Sequence, residues 1–377
     1  MSRKRSGSSR AVTAHDRTCF VRKSQFFCWN LVLEFPSCSL SQLVRKNYNA
    51  LMAALSVSNP GLRFMKNLIL ISAVLCLVLT SGLSRGMAAS PVRVIVDADT
   101  ANEIDDLYAI VRALVAPEFT VEGVTSAHFT RSTEPNDTVH QSQTINEQIL
   151  KAMELADKIP HPVGGDRSMS APDQPVDSPA ARLIIERAHA GGPDDKLVVF
   201  ALGACTNLAS ALKLDPTIEP KVIFAFIDGN YKDGEWGPGI FNWRNDIHAV
   251  KAIFESNVEY FHMPAPAVSK QIYLTKAEVN QHLLGKGEVW DLLVHRWETF
   301  PRTAKSESKV MWDVALIEAY LRPDLATPVV VGAPIVRDAK TVEQFPNNPR
   351  RVTVYEAIDV EGMRVDFWKA IDAAIAE

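Results

Sequence analysis

The sequence predicts an α/β protein: an open, mostly parallel central sheet flanked by helices, with a more helical C-terminal part. Three observations predict it. From Val92 onward, short runs rich in Val, Ile and Phe alternate with longer stretches whose apolar residues recur every three or four positions, the signature of βαβ units. A composition of 47% hydrophobic and 22% charged residues, with 18 Gly and 22 Pro, belongs to a globular chain and excludes collagen, coiled coil, disordered tail and multi-span membrane protein. Residues 90 to 377 show neither internal repeat nor linker, so they are expected to form one domain, long enough to bury roughly 75% of the unfolded surface.

The elements follow in order. VRVIVD (92 to 97) reads as a buried strand. Ile104, Leu107, Tyr108, Val111, Leu114 and Val115 then share one helical face until Pro117 stops the helix. FTVEGVTS (119 to 126) reads as a second strand and 139 to 156 as a second helix. KLVVFAL (196 to 202) and KVIFAFID (221 to 228) are further strands, each followed by a helix, near 206 to 213 and 246 to 256. VEYFHM (258 to 263) is a shorter strand. Helical spacing then recurs at 275 to 284, 288 to 298, 311 to 321 and 361 to 376, with apolar runs at 328 to 332 and 352 to 358.

The N-terminal ninety residues differ from the rest. Residues 65 to 89 run from Lys66 through an apolar stretch, Leu68 to Leu79, to small residues at Ala88 and Ala89. That is the layout of a secretory signal peptide, and the run is shorter than the roughly 20 residues a membrane span needs. Export to the periplasm or exterior is therefore expected, with no stable membrane anchor after cleavage. Residues 1 to 64 carry ten basic and two acidic side chains and no sustained period. They either precede the true start at Met65 or form a disordered basic tail.

Without those segments the net charge of −4 becomes −14 over residues 90 to 377, which repels phosphate backbones and argues against nucleic-acid binding. Of five Cys, only Cys205 lies in this part, so it holds no internal disulfide.

Ligands of open α/β sheets bind beyond the carboxyl ends of the strands. There the sequence places Asp97, Asp99, Glu103, Asp105 and Asp106 within ten residues. A helix N-terminus favours one or two carboxylates but leaves the others repelling one another. A hard divalent cation with oxygen ligands would offset that repulsion, and the absence of neighbouring Cys or paired His argues against zinc.

The segment from Asp97 to Asp106 resembles the N-terminal signature of the inosine-uridine nucleoside hydrolase family, in its D-x-D…D-D form, with Ala98 and Ala101 where Thr and Gly are common. Three further segments are similar in the same order: LGACTNLA (202 to 209), DGNYKDGEWGPGIFNWRNDIHA (228 to 249) and MWDVALIEAYLRPDL (311 to 325). The resemblance implies a Rossmann-related fold, hydrolysis of the N-glycosidic bond of a ribonucleoside or related ribosyl compound, and one Ca²⁺. It implies that Asp99, Asp106, Asp313 and the Leu202 carbonyl hold the ion, that Asp99 activates the water, and that Asp105, Asn230 and Asn242 meet the substrate. It further implies a small-molecule substrate and assembly as a homodimer or homotetramer.

Where nonspecific members place His before Asp, this chain has Trp312, which can stack on a base but cannot protonate it. Glu235 and His128 are the candidate leaving-group acids, and Trp236 is a candidate pocket aromatic. Ile240 stands where the family has a ribose-binding Glu. Two alternatives follow: a ribose- or nucleoside-binding protein of the same fold with weakened catalysis, and a phosphatase of the haloacid dehalogenase type suggested by Asp97 and Asp99 after a Val-rich strand.

Overall fold

The computed structural model describes residues 90–131, 137–268 and 272–377; the expected leader (1 to 64) and signal peptide (65 to 89) lie outside them. The β-branched runs form one seven-stranded sheet: β1 (Val92–Ala98), β2 (Phe119–Ser126), β3 (Leu197–Ala201), β4 (Val222–Ile227), β5 (Glu259–Met263), β6 (Ala326–Gly332) and β7 (Arg351–Ile358). Their spatial order is β6, β7, β5, β4, β3, β1, β2. All neighbours are parallel except β6 and β7. The two C-terminal apolar runs thus close one edge of the sheet in the antiparallel sense. Pro328 is tolerated because β6 is the edge strand, and the register slips beside it.

Alternating side chains divide the core between two faces. Val94, Val96, Phe200 and Ile227 pack with α1 (Asp105–Leu114), and the same side takes α2 (Thr138–Ala152). Ile95, Val199, Phe224 and Phe226 pack with α3 (Pro179–Ala190), α4 (Thr206–Leu214) and α5 (Ile247–Glu255). The first face is completed by α6 (Lys276–Leu283), α7 (Glu288–Thr299), α8 (Trp312–Leu321) and α9 (Val360–Ala376). The helical periods of the sequence locate all of these but α3, whose start is nonetheless marked by Ser178 capping Ala181 N–H ahead of Pro179.

One buried ion cluster fixes the helices that carry the acidic residues. Arg112, inside α1, donates from Nε to Glu318 Oε1 of α8 (2.6 Å) and from its guanidinium to Asp366 Oδ2 of α9 (3.1 Å). Glu318 is fully buried, and burial raises its carboxyl pKa to about 7 against the pull of Arg112. Because α1 and α8 present Asp105, Asp106 and Asp313 in their first turns, this cluster sets the spacing of those carboxylates.

Breaking a buried pair on one side leaves an uncompensated charge. Arg112→Met is expected to cost about 3–5 kcal/mol in denaturant unfolding. The double change Arg112→Met with Glu318→Leu is expected to recover most of that loss, and a double variant as unstable as the single one would refute the cluster's role.

Candidate active site

The chain runs from β1 outward to β2 and then back to β3 on β1's other side. This reversal opens a crevice beyond the carboxyl ends of β1 and β3, the place where open α/β sheets bind ligands. Asp97, next to last in β1, has its carboxylate turned inward. Its Oδ1 accepts from Thr125 Oγ1 (2.6 Å) and Asn207 Nδ2 (2.8 Å). Full burial outweighs both bonds and raises its pKa to about 6. Asn207 also donates to Ser126 O (3.0 Å) and accepts from Gly165 N–H (2.9 Å) and Ser178 Oγ (3.0 Å). It thereby tethers two strand ends and two loops. A Cβ on Gly203 would stand 2.8 Å from Asp99 Cβ, so only glycine lets this loop lie against that carboxylate.

Beyond the strand, the carboxylates converge. Asp105, Asp106 and Asp313 each bring an oxygen within 4.8 Å of the others. Asp99 N–H donates to Asp106 Oδ1 (3.1 Å), while Asp99 Oδ2 is buried without a hydrogen-bond partner. Burial first, and the neighbouring carboxylates second, push the pKa of Asp99 and Asp313 well above the usual range; the same two causes act on Asp106.

Asp105 is held differently. Lys309 Nζ bonds its Oδ1 (3.1 Å) and Glu103 Oε2 (2.6 Å). Burial alone would lower the lysine pKa, but these two carboxylates raise it instead. Lys309 escaped the sequence reading because it lies some 200 residues from its partners and in no motif.

The donors here are hard oxygens, and no His or Cys among the described residues lines the cavity, which matches a Ca²⁺- or Mg²⁺-type ion rather than zinc. The orphaned Asp99 oxygen and the mutually repelling, buried carboxylates fit such an ion.

Asp99, Asp105, Asp106, Leu202, Asn242, Trp312 and Asp313 all line one cavity of about 320 Å³. That is the small end of the roughly 300–1,000 Å³ typical of small-molecule sites. Asn242 donates to Leu202 O (2.8 Å) and Ile227 O (3.1 Å) from the short helix Asn242–Asn245. Asp228 positions that helix by accepting from the N–H groups of Phe241 (3.2 Å) and Trp243 (2.6 Å).

Four expected site residues do not line the cavity. Glu235 and Trp236 sit on a small hairpin, Asn230–Lys232 with Glu235–Gly237, where alternation sends Glu235 to solvent and Trp236 into the core. Trp236 packs there on Tyr231, Phe254 and His262 and donates its indole N–H to Gly332 O (3.0 Å). Asn230 on the same hairpin spends its amide on Pro238 O (2.9 Å). His128 is buried, with Nε2 3.0 Å from Thr206 Oγ1. The Thr206 hydroxyl gives its proton to Asp246 (2.7 Å), so the imidazole donates to it, and burial lowers its pKa. Arg131, Phe241 and Arg244, to which the sequence analysis gave no role, also line the cavity, as does Ile240.

An open α/β sheet with a buried, cation-ready acidic cavity at its reversal point is the class of protein these features define. The chain belongs to the inosine-uridine preferring nucleoside hydrolase family, whose profile matches residues 94–365. It is thereby an N-glycosyl hydrolase of the class that acts on small nucleoside substrates, and the haloacid dehalogenase reading is set aside.

Among solved structures it is similar to a plant nucleoside hydrolase, at 21% identity and TM-score 0.61, over 75% of this chain and 99% of that one. It is also similar to a purine-preferring ribonucleoside hydrolase from Gardnerella vaginalis, at 19% identity and TM-score 0.54, over 75% and 99% of the two chains. A third, an inosine-uridine preferring nucleoside hydrolase from Bacillus anthracis, matches at 17% identity and TM-score 0.54, over 75% and 99%. At these identities the likeness speaks for the fold. No curated protein matches the chain.

Ion binding to the folded state alone raises stability by about 2.7 kcal/mol at a concentration of 100 Kd. Ca²⁺ is expected to raise Tm accordingly. Asp313→Asn should remove that response while raising the Tm of the ion-free protein, because one repelling carboxylate is gone. An undiminished Ca²⁺ response in Asp313→Asn would exclude the cluster as the ion's site.

Proposed function

We propose that this chain is a Ca²⁺-dependent N-ribohydrolase, in which water attacks the anomeric carbon of a ribonucleoside or related ribosyl compound. The observation that carries the reading is the convergence of Asp99, Asp106, Asp313 and Leu202 on one cavity, Asp99 keeping a buried oxygen without a partner. Those four groups would hold the ion, which when bound orients water and the ribose diol and supplies Lewis acidity. Although Asp105 shares the carboxylate cluster, its ion pair with Lys309 suits it to accept a hydrogen bond from a ribose hydroxyl.

Asp99 is the general base: at the mouth of β1 it takes a proton from the attacking water as the bond to the base breaks. The transition state is oxocarbenium-like, and the surrounding carboxylates stabilise its positive charge. Both N–H groups of Asn242 are bound to backbone carbonyls, so its amide oxygen is the group offered to a ribose hydroxyl. Trp312 offers a face on which a base stacks. Residues 65 to 89, read as a signal peptide, support an exported enzyme.

The second reading, a ribosyl-binding protein with weakened catalysis, draws on one observation: His128 and Glu235 do not line the cavity. Turnover separates the two.

With residues 90 to 377 and a panel of purine and pyrimidine ribonucleosides, ribose release should stop on chelation and return with Ca²⁺. Asp99→Asn is expected to lower kcat by about 10²–10⁴-fold. Ribose-dependent thermal stabilisation without base release would favour the binding protein, and chelator-resistant hydrolysis would refute the ion's role.

A further inference from the structure

The cavity has two walls of opposite character. Its carboxylates come from the β1–α1 junction and the start of α8, while Ile240, Phe241, Arg131 and Arg244 form the other side. Asp228, which also lines the cavity, is committed to the backbone N–H groups of Phe241 and Trp243. Arg131 is fixed in place: it donates to Asn102 Oδ1 (2.8 Å) and its guanidinium carbon lies 4.3 Å from the centre of the Phe241 ring.

Arg131 pairs with Glu103 Oε1 at 3.5 Å while Lys309 holds Oε2 of the same carboxylate at 2.6 Å, so Glu103 is shared between two cations and neutralises neither fully. Arg244 lies one turn after Phe241 on the short helix Asn242–Asn245, is exposed, and has no ion-pair partner among the described residues. Thr130 N–H donates to Asn245 Oδ1 (2.8 Å), which ties the strand of chain carrying Arg131 to the helix carrying Arg244.

Two guanidinium groups that line one cavity, Arg131 over the Phe241 ring and Arg244 without an ion-pair partner among the described residues, form a receptor for an oxyanion. Arginine is suited to this because its planar fork matches phosphate and carboxylate. A neutral nucleoside offers such a wall only carbonyl, ring-nitrogen and hydroxyl acceptors, which bind guanidinium more weakly than an anion does.

We propose that the substrates of this site carry an anionic group, a phosphate on the ribose or a carboxylate on the base, and that Arg244, with Arg131, recognises it. The inference rests on the ribohydrolase reading, since it assigns the sugar to the acidic wall and the anion to the arginine wall. Charge at both ends would orient the ribosyl compound in the cavity, and Arg244 is its specificity-determining residue.

The test compares uridine, uridine 5′-monophosphate and orotidine, which is uridine with a carboxylate on its base, at fixed Ca²⁺ and ionic strength. One of the two anionic compounds should exceed uridine in kcat/KM by about tenfold or more, and which one does so tells phosphate from carboxylate. Arg244→Gln should lower that ratio by about tenfold, because a charge-assisted hydrogen bond is lost. Added salt should lower it too.

Uridine cleaved as well as both anions, or a ratio unmoved in Arg244→Gln, would overturn the proposal and leave the hydrolase reading standing. Cleavage of none of the three by the unaltered protein would count against the hydrolase reading instead. Calorimetric binding would then decide the anion proposal: it holds if either anion binds more tightly than uridine in an Arg244-dependent way, and falls otherwise.

Discussion

Several carboxylates confined in one buried crevice dominate this molecule. In water, like charges a few ångströms apart repel weakly; in a buried crevice the repulsion is several times larger and each carboxylate also loses its hydration. Most of the surrounding structure makes that arrangement possible. The dipoles of α1 and α8 place partial positive charge near Asp105, Asp106 and Asp313. Lys309 neutralises part of the charge of Asp105 and Glu103. What remains around Asp99 is unsatisfied by the protein's own groups, as its partnerless oxygen shows. A cation-binding function is the economical account of why a fold would keep this much repulsion at one point.

The supports of the site lie outside it. Arg112 holds α1 to α8 and α9 from within the core, so the carboxylates at the helix starts inherit their spacing from an ion cluster farther down the same helices. On the opposite face, Asn207 and Asp246 perform the corresponding task for loops. Asn207 links Asp97 to the end of β2 and to the turn at Gly165, and Asp246 caps α5 while accepting from Thr206 and from Met169 N–H. His128 belongs to this supporting network. Its burial and its bond to Thr206 explain why a histidine placed near the site in sequence contributes structure and does not line the cavity.

Much of the candidate site was legible because its residues sit at strand ends and helix starts, positions that hydrophobic periodicity locates well. Asp99, Asp105 and Asp106 follow a strand with an unmistakable apolar pattern, and Trp312 and Asp313 open a helix of equal clarity. Besides His128, the expected site residues that lie elsewhere are those on the hairpin after β4. Asn230, Glu235 and Trp236 lie in a stretch of Gly, Asp and aromatic residues with no period. There a two-residue alternation decides which side chain enters the core, and the register of so short a hairpin is set by its contacts with Phe254, His262 and Gln344.

The sequence by itself determined the order and type of the main elements and most of the residues that meet beyond β1. These follow from periodicity, composition and ordered motifs, all of which are local properties of a chain. Only the tertiary structure decided that β6 runs antiparallel at the sheet edge, that Arg112 and Lys309 compensate particular carboxylates, and that Arg131 and Arg244 face the same cavity. Each of those is a pairing between groups far apart in the chain, fixed by packing and charge once the sheet has assembled, and no local pattern records it.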